Sequence, residues 1–304
     1  MDKRKQGIAL FITLMVIASI MSIIAVSFTY LEKVQKDAGT TSSIIQGDLL
    51  YNNTLVKLKQ FFPPKSDNSD KLDLLYSTPL PLNEPKSGFS LTINCQPLMT
   101  GVPISWLDED LTKGVPEKSR LAREMLQKII MKYEVEEPAQ LDELISQAVS
   151  GKHSYNNDFT PRVESQKGIV SKRAFENIII DYALRYDDIK VLNIPWERYF
   201  SFTKVDSKTK IDGAYLTTEF ISVAFDIPLE IVQDSWITGE STLRSFLNEN
   251  SVTPPNNMKK IYSNRALNAM HCEQTYAYKD RHYRFNFNYI EGRSSNFEFN
   301  GQEQ

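Results

Sequence analysis

Few residues in this chain have types and spacings that could do chemistry. Histidine occurs only at 153, 271 and 282. None stands in an HxxxH or HExxH pair or near a nucleophile elbow, so catalysis has no motif to rest on and the chain reads as a non-enzyme. His271 and His282 lie beside aromatics in strand-like sequence, where sheet surface or packing is their plain role. The stretch "DEDLTKG", 108 to 114, places oxygens at Asp108, Asp110 and Thr112, the alternate positions that a calcium loop uses. Its glycine comes one residue late and no Glu follows at the twelfth position, so it is not an EF-hand. A second acidic pair, Asp187 and Asp188, lies in "DYALRYDDIK"; solvated loop carboxylates are the plainer account of both sets. The two cysteines, Cys95 and Cys272, fit neither a zinc site nor a CxxC pair. Either a disulfide formed in an oxidising compartment or two buried thiols accounts for them.

The elements that must position these residues can be read along the chain. It has 304 residues, 41% hydrophobic and 24% charged, an ordinary globular composition. A formal charge of -3 gives no broad cationic surface, so nucleic-acid binding by phosphate neutralisation has no support. "SGFSLTINCQPL", 87 to 98, has strand content. Between about Trp106 and Asn250 the pattern turns helical: helices open at Pro116 and Pro138, and Ser171 is placed to cap a third. "AYLTTEFISVAFDIPLEIVQDSW" and "STLRSFLNEN" continue the block. Beyond Pro254 and Pro255 aromatics alternate with polar residues through Tyr276, Tyr278, Tyr283, Phe285, Phe287 and Tyr289, with a turn at Lys279-Asp280. This predicts an antiparallel meander from 251 to 304.

The N-terminus carries the strongest signal. From Ile8 to Leu31 there is no charge, and a helix over that stretch extends about 36 Å at about 1.5 Å per residue, enough to cross a bilayer core of about 30 Å. Lys3, Arg4 and Lys5 precede it and Glu32 follows, which orients the tip to the cytoplasm and the body outside. A removable signal ending near Ala25-Val26-Ser27 is one account, but its apolar run is too long. A plain uncleaved anchor is a second. Past Leu31, the residues Val34, Ala38, Ile45, Leu49 and Val56 keep helical spacing until Pro63-Pro64. This predicts one helix of about 55 residues, half in lipid and half laid along a soluble core, with a coiled-coil stalk as the less suitable account because the heptad is not sustained.

A short cationic leader, then Gly7, then an apolar helix starting at Ile8, resembles the leader of type IV prepilins and pseudopilins. In that family a prepilin peptidase cuts after the glycine and methylates the new amine, so Gly7 and Ile8 would flank the cut. The usual first mature residue is Phe, replaced here by Ile8. Most members carry Glu at the fifth mature position, where this chain has Ile12. A carboxylate in lipid needs a positive partner, which a neighbouring subunit's amine supplies; a subunit at the filament tip has no neighbour above it. The K-type minor pseudopilin of type II secretion, GspK, is the member that lacks this Glu. "LTINCQPL" and "TKIDGAYLTTEFISVAF" resemble segments flanking that family's helical insertion, with Asp212 and Ala214 where its asparagines stand.

The resemblance implies an α+β fold: a long N-terminal helix packed on a small antiparallel sheet, with a large all-helical domain inserted into the sheet region. Its parts would be a leader (1–7), the membrane part of the helix (8–31), its amphipathic continuation (32–62), the first part of the sheet domain (63–105), the insertion (106–250) and the terminal strands (251–304). It implies a tip subunit of the secretion pseudopilus in the bacterial inner membrane, with its body in the periplasm. I-type and J-type minor pseudopilins, the major pseudopilin and the prepilin peptidase would be its partners. A disulfide from Cys95 to Cys272 would staple the split sheet. The family's calcium, held by acidic residues of the insertion, would fall to Asp108, Asp110, Asp187 and Asp188. A minor pilin of a type IV pilus or a DNA-uptake pseudopilus, and a signal-anchored periplasmic enzyme or binding protein, are the alternatives.

Overall fold

The computed structural model describes residues 3–64, 66–84, 89–151, 168–169, 171–203, 205–278 and 281–303, with the backbone alone at 3–13, 36, 40, 82–84, 89–90, 278, 281 and 300–303. Two compact units are formed, Met1–Val56 and Lys57–Gln304.

The first unit is helix. α1 runs unbroken over Lys3–Phe61, 59 residues, and stops at the Pro63-Pro64 pair because proline supplies no N–H and its ring excludes the preceding turn. Only the last turn of α1 belongs to the second unit.

Along the second unit, α2 (Ser69–Ser77) buries Leu72 and Leu75 and is followed by β1 (Leu80–Glu84) and β2 (Phe89–Pro97). Then come β3 (Val102–Pro103), α3 (Pro116–Lys132), α4 (Pro138–Ser150) and α5 (Lys172–Tyr186). β4 (Phe200–Ser201), α6 (Thr218–Phe225), α7 (Leu229–Ser235), α8 (Leu243–Glu249) and α9 (Met258–Ile261) follow. β5 (Ala269–Tyr278), β6 (Arg281–Ile290) and β7 (Arg293–Glu303) close the chain.

Pro116 and Pro138 sit at the starts of α3 and α4, where a missing N–H costs nothing. Ser171 accepts the Ala174 amide at 3.2 Å and caps α5. Gly151 ends α4 at φ 67, a left-handed conformation in which a side chain is disfavoured.

Five strands form one antiparallel sheet in the order β1-β2-β5-β6-β7. β2 and β5 are neighbours although the whole helical stretch separates them in sequence. This is an α+β fold with a long N-terminal helix, an antiparallel sheet and an intervening helical segment. Tyr276, Tyr283, Phe285, Phe287 and Tyr289 are all buried on one face of the meander, and Tyr276 stacks on Tyr283 at 5.4 Å across β5 and β6. Lys279 and Asp280, read as its turn, lie outside the described residues.

The helical stretch buries its own core, including Trp106, Met125, Leu141, Phe175, Phe220 and Leu247. It additionally contains the two-residue parallel pair β3 with β4. Gly101 is required there: a Cβ would run into the Tyr199 carbonyl oxygen. Residues 258–261, expected within the strand region, form the single turn α9.

Candidate assembly surface

The N-terminal segment offers surface rather than a pocket. Gly7, Ile8 and Ile12 all lie in the first turns of α1, described by backbone only. From Leu14 to Leu31 every side chain is exposed. The most apolar 18-residue window of the helix has mean hydropathy 2.2 and buries none of its residues. The hydroxyls of Ser19, Ser22, Ser27 and Thr29 donate to the carbonyls of Met15, Ala18, Ile23 and Ala25 at 2.8–2.9 Å. These four hydroxyls are therefore satisfied within the helix, as an apolar surrounding demands. One long apolar helix of this kind is compatible with a single-pass membrane anchor.

The stripe of Leu31, Val34, Ala38, Ile45, Leu49 and Val56 lies within an arc of about 60° at 3.6 residues per turn. Leu31, Val34, Ile45, Leu49 and Val56 are 44–56% exposed.

Cys95 and Cys272 are directly opposed in the β2–β5 register and form a disulfide, with both residues wholly buried. The acidic candidates fall at two turns, after Leu107 and at the end of α5. Asp108 accepts the Asp110 amide at 3.0 Å. Asp187 ends α5 in the left-handed region at φ 55. Asp188 is buried and accepts the amides of Glu136 at 3.0 Å and Lys190 at 3.2 Å. Asp110 is exposed. Among the described residues no three His, Cys, Asp or Glu side chains gather where a metal ion could be held. His153 lies outside the described residues, and His282 is exposed in β6.

Sequence reasoning missed two buried charges. Lys118 is 1% exposed, with Nζ donating to the carbonyls of Ser207 and Thr209 at 2.7 and 2.6 Å and lying 4.7 Å from the Trp106 ring centre. Desolvation brings its pKa down to about 8. A lysine in the first turn of an amphipathic helix carries no signal that it turns inward.

Asp212 is the second. Its amide donates to the Met99 carbonyl at 2.9 Å, while its carboxylate accepts the amides of Ala214 at 3.0 Å and Leu267 at 2.9 Å. One residue thus ties the chain leaving β2 to the chain about to enter β5. Burial pushes the carboxyl up to about 7 while the backbone donors oppose the shift. A carboxyl whose folded pKa exceeds its unfolded value of about 4 keeps its proton longer when folded, so its contribution to stability is largest in acid and falls as pH rises from about 4 to about 7. Asp212→Asn removes this titration. The parent's unfolding free energy relative to that variant is expected to fall by roughly 1.4 kcal/mol per pH unit across that interval and to level off above pH 7. Urea unfolding of both chains at matched pH values checks this, and parallel pH profiles contradict it.

No family model matches this chain, and no curated protein matches it in sequence. Among solved structures, a chain of the crystal structure of the GspK-GspI-GspJ complex from the type 2 secretion system of enterotoxigenic Escherichia coli superposes with a TM-score of 0.51 at 12% identity. The match covers 85% of this chain and 98% of that one. The chain therefore shares a pseudopilin-like fold with that complex.

Proposed function

We propose that the chain is a minor pseudopilin of a type II secretion system, placed at the tip of the pseudopilus, where it nucleates or caps the filament. The observation that carries this reading is the exposed apolar surface of α1. It runs from Leu14 past the stretch long enough for a bilayer and on through Val56. A surface of that length needs both lipid and other helices to cover it, because burying one Leu or Ile side chain is worth about 1.5–3 kcal/mol. The pseudopilin-like fold supports a general pseudopilin role, and the absence of a carboxylate at Ile12 favours the tip.

In this role Gly7 and Ile8 flank the cut made by the prepilin peptidase, and the trimmed helix stays in the inner membrane with the body in the periplasm. The stripe from Leu31 to Val56 packs against I-type and J-type partner subunits and the major pseudopilin below. The protein works by assembly, with no catalytic step. Ile45→Asp with Leu49→Asp, two exposed positions, is expected to leave the melting temperature within about 1 °C of the parent. Recovery of the co-expressed I-type and J-type subunits should fall at least tenfold, since one buried Leu lost is worth about tenfold or more in a binding constant. Undiminished co-purification would overturn the packing role.

A further inference from the structure

One helix face of the second unit is apolar and left uncovered by the described residues. α5 exposes Ile180 and Leu184, and the short turn Ile189–Asn193 packed beside it exposes Ile189 and Leu192. The four are 45%, 81%, 67% and 49% exposed. So many large apolar side chains on adjoining elements form a patch, unlike the scattered single residues of an ordinary surface. Beside Ile180 the patch runs into a groove of about 450 Å³ lined by Ile179, Leu192, Ile194, Pro195 and Trp196. We propose that this face pairs with the same face of a second copy of the chain, α5 lying antiparallel on α5 with Ile180 at the centre.

Charge identifies the occupant. Lys172 and Arg173 stand in the first turn of α5, which holds no acidic residue, and Asp187 follows its last turn. Both ends run against the helix dipole, which favours acid at the start and base at the end. Among the described residues Lys172 pairs with Glu176 and Glu197, Arg185 with Asp181 and Lys190 with Glu136. Arg173 and Asp187 are exposed and have no ion-pair partner among the described residues.

At 3.6 residues per turn, Arg173, Ile180, Leu184 and Asp187 lie within an arc of about 60°. They make one stripe that runs from base through two apolar residues to acid. An antiparallel copy centred on Ile180 sets residue 173 of each chain opposite residue 187 of the other, because both stand equally far from the centre. Ile180 then faces Ile180. Such an isologous contact is self-complementary, with two equivalent ion pairs flanking an apolar middle. Within one chain the two charges cannot meet, since the helix separates them by about 21 Å.

Other occupants fit less well. A lipid surface is drawn by a cationic rim, and here Lys172, Arg173, Arg185 and Lys190 are matched by Glu176, Asp181, Asp187 and Glu197. A different protein would have to carry the same reversed order of charge, which a second copy carries by identity. The contact involves the second unit alone and does not depend on the filament role above.

The full chain in detergent micelles is the test material, its own two cysteines being wholly buried in their disulfide. Ile180→Cys is expected to give a disulfide-linked dimer under mild oxidation. Leu184→Cys, although more exposed, should give at least fivefold less, because antiparallel pairing sets the two copies of residue 184 about 12 Å apart along the helix. Gln233→Cys, exposed on α7, reports random encounter. Charge exchange supplies the second arm. Arg173→Glu and Asp187→Lys should each lower the Ile180→Cys dimer about tenfold, since like charges then meet at both ends of the contact. The two exchanges together should restore it, a rescue open only to residues that meet across chains. Neither exchange weakens α5 through its dipole, so a lost dimer is not a melted helix. Equal crosslinking at 180, 184 and 233, no dimer from Ile180→Cys, or no rescue by the paired exchange would each overturn the proposal. Capture of Ile180→Cys in cells by another protein in place of its own copy counts against it as well.

Discussion

Chains carrying Gly7→Asp are expected to keep their first seven residues, while the parent chain is recovered starting at an N-methylated Ile8. The expectation follows from the proposed role and from how α1 begins. The helix starts at Lys3 and already includes the bond between residues 7 and 8. A peptidase needs an extended main chain, so the first turns must unwind before cutting. Two features make unwinding cheap. Glycine in a helix costs about 1 kcal/mol relative to alanine, and Lys3, Arg4 and Lys5 stand at the positive end of the helix dipole with no acidic residue in the first turn. The substitution removes both advantages: aspartate is the better helix residue of the two and brings a favourable negative charge to the N-terminal turns, besides placing a side chain at the bond to be cut. Processed chain should fall at least tenfold, read by intact mass of the purified membrane-extracted protein. Gly7→Ala, which restores helix propensity without charge, should fall between. A variant cut as efficiently as the parent, or a parent that begins at Met1 or near Phe28, contradicts the proposed leader.

The extent to which the sequence disclosed this molecule depends on how local each feature is. The α+β class, the long first helix and its stop at Pro63 were legible because proline, charge gaps and apolar spacing act within a few residues. The starts of α3, α4 and α5 were legible for the same reason: Pro116, Pro138 and Ser171 are short-range signals. α2 and the β3–β4 pair were not. The pair is two residues long on each side and exists only because residues near 102 meet residues near 200. Asp212 illustrates the limit best. Its three backbone partners at 99, 214 and 267 converge only after the helical stretch has folded, and nothing in "TKIDGAYL" marks the carboxylate as buried.

Breaking the bond between Cys95 and Cys272 is expected to produce the largest loss of stability of any change in the second unit. The two residues pair across adjacent antiparallel strands, and they lie 177 positions apart in sequence. In the chain-entropy account, closing a loop that long withdraws about 5 kcal/mol of freedom from the unfolded chain. A large core truncation costs about 3–5 kcal/mol and reaches the top of that range only where the site cannot relax, so the disulfide stands at or above any single core side chain. The sheet explains why the constraint falls where it does. β2 must wait for β5 until the helical stretch has been made and folded, and non-local pairing of this kind has to overcome loop-closure entropy before any contact rewards it. A covalent link between the two strands holds the sheet closed across that excursion. Cys95→Ala with Cys272→Ala, measured in detergent micelles, should lower the melting temperature by roughly 10–20 °C at about 2–4 °C per kcal/mol. Reductant should lower the parent toward the same value and leave the double variant unmoved. A parent insensitive to reductant, melting with the double variant, would return the pair to two buried thiols and remove the argument that the body folds in an oxidising compartment.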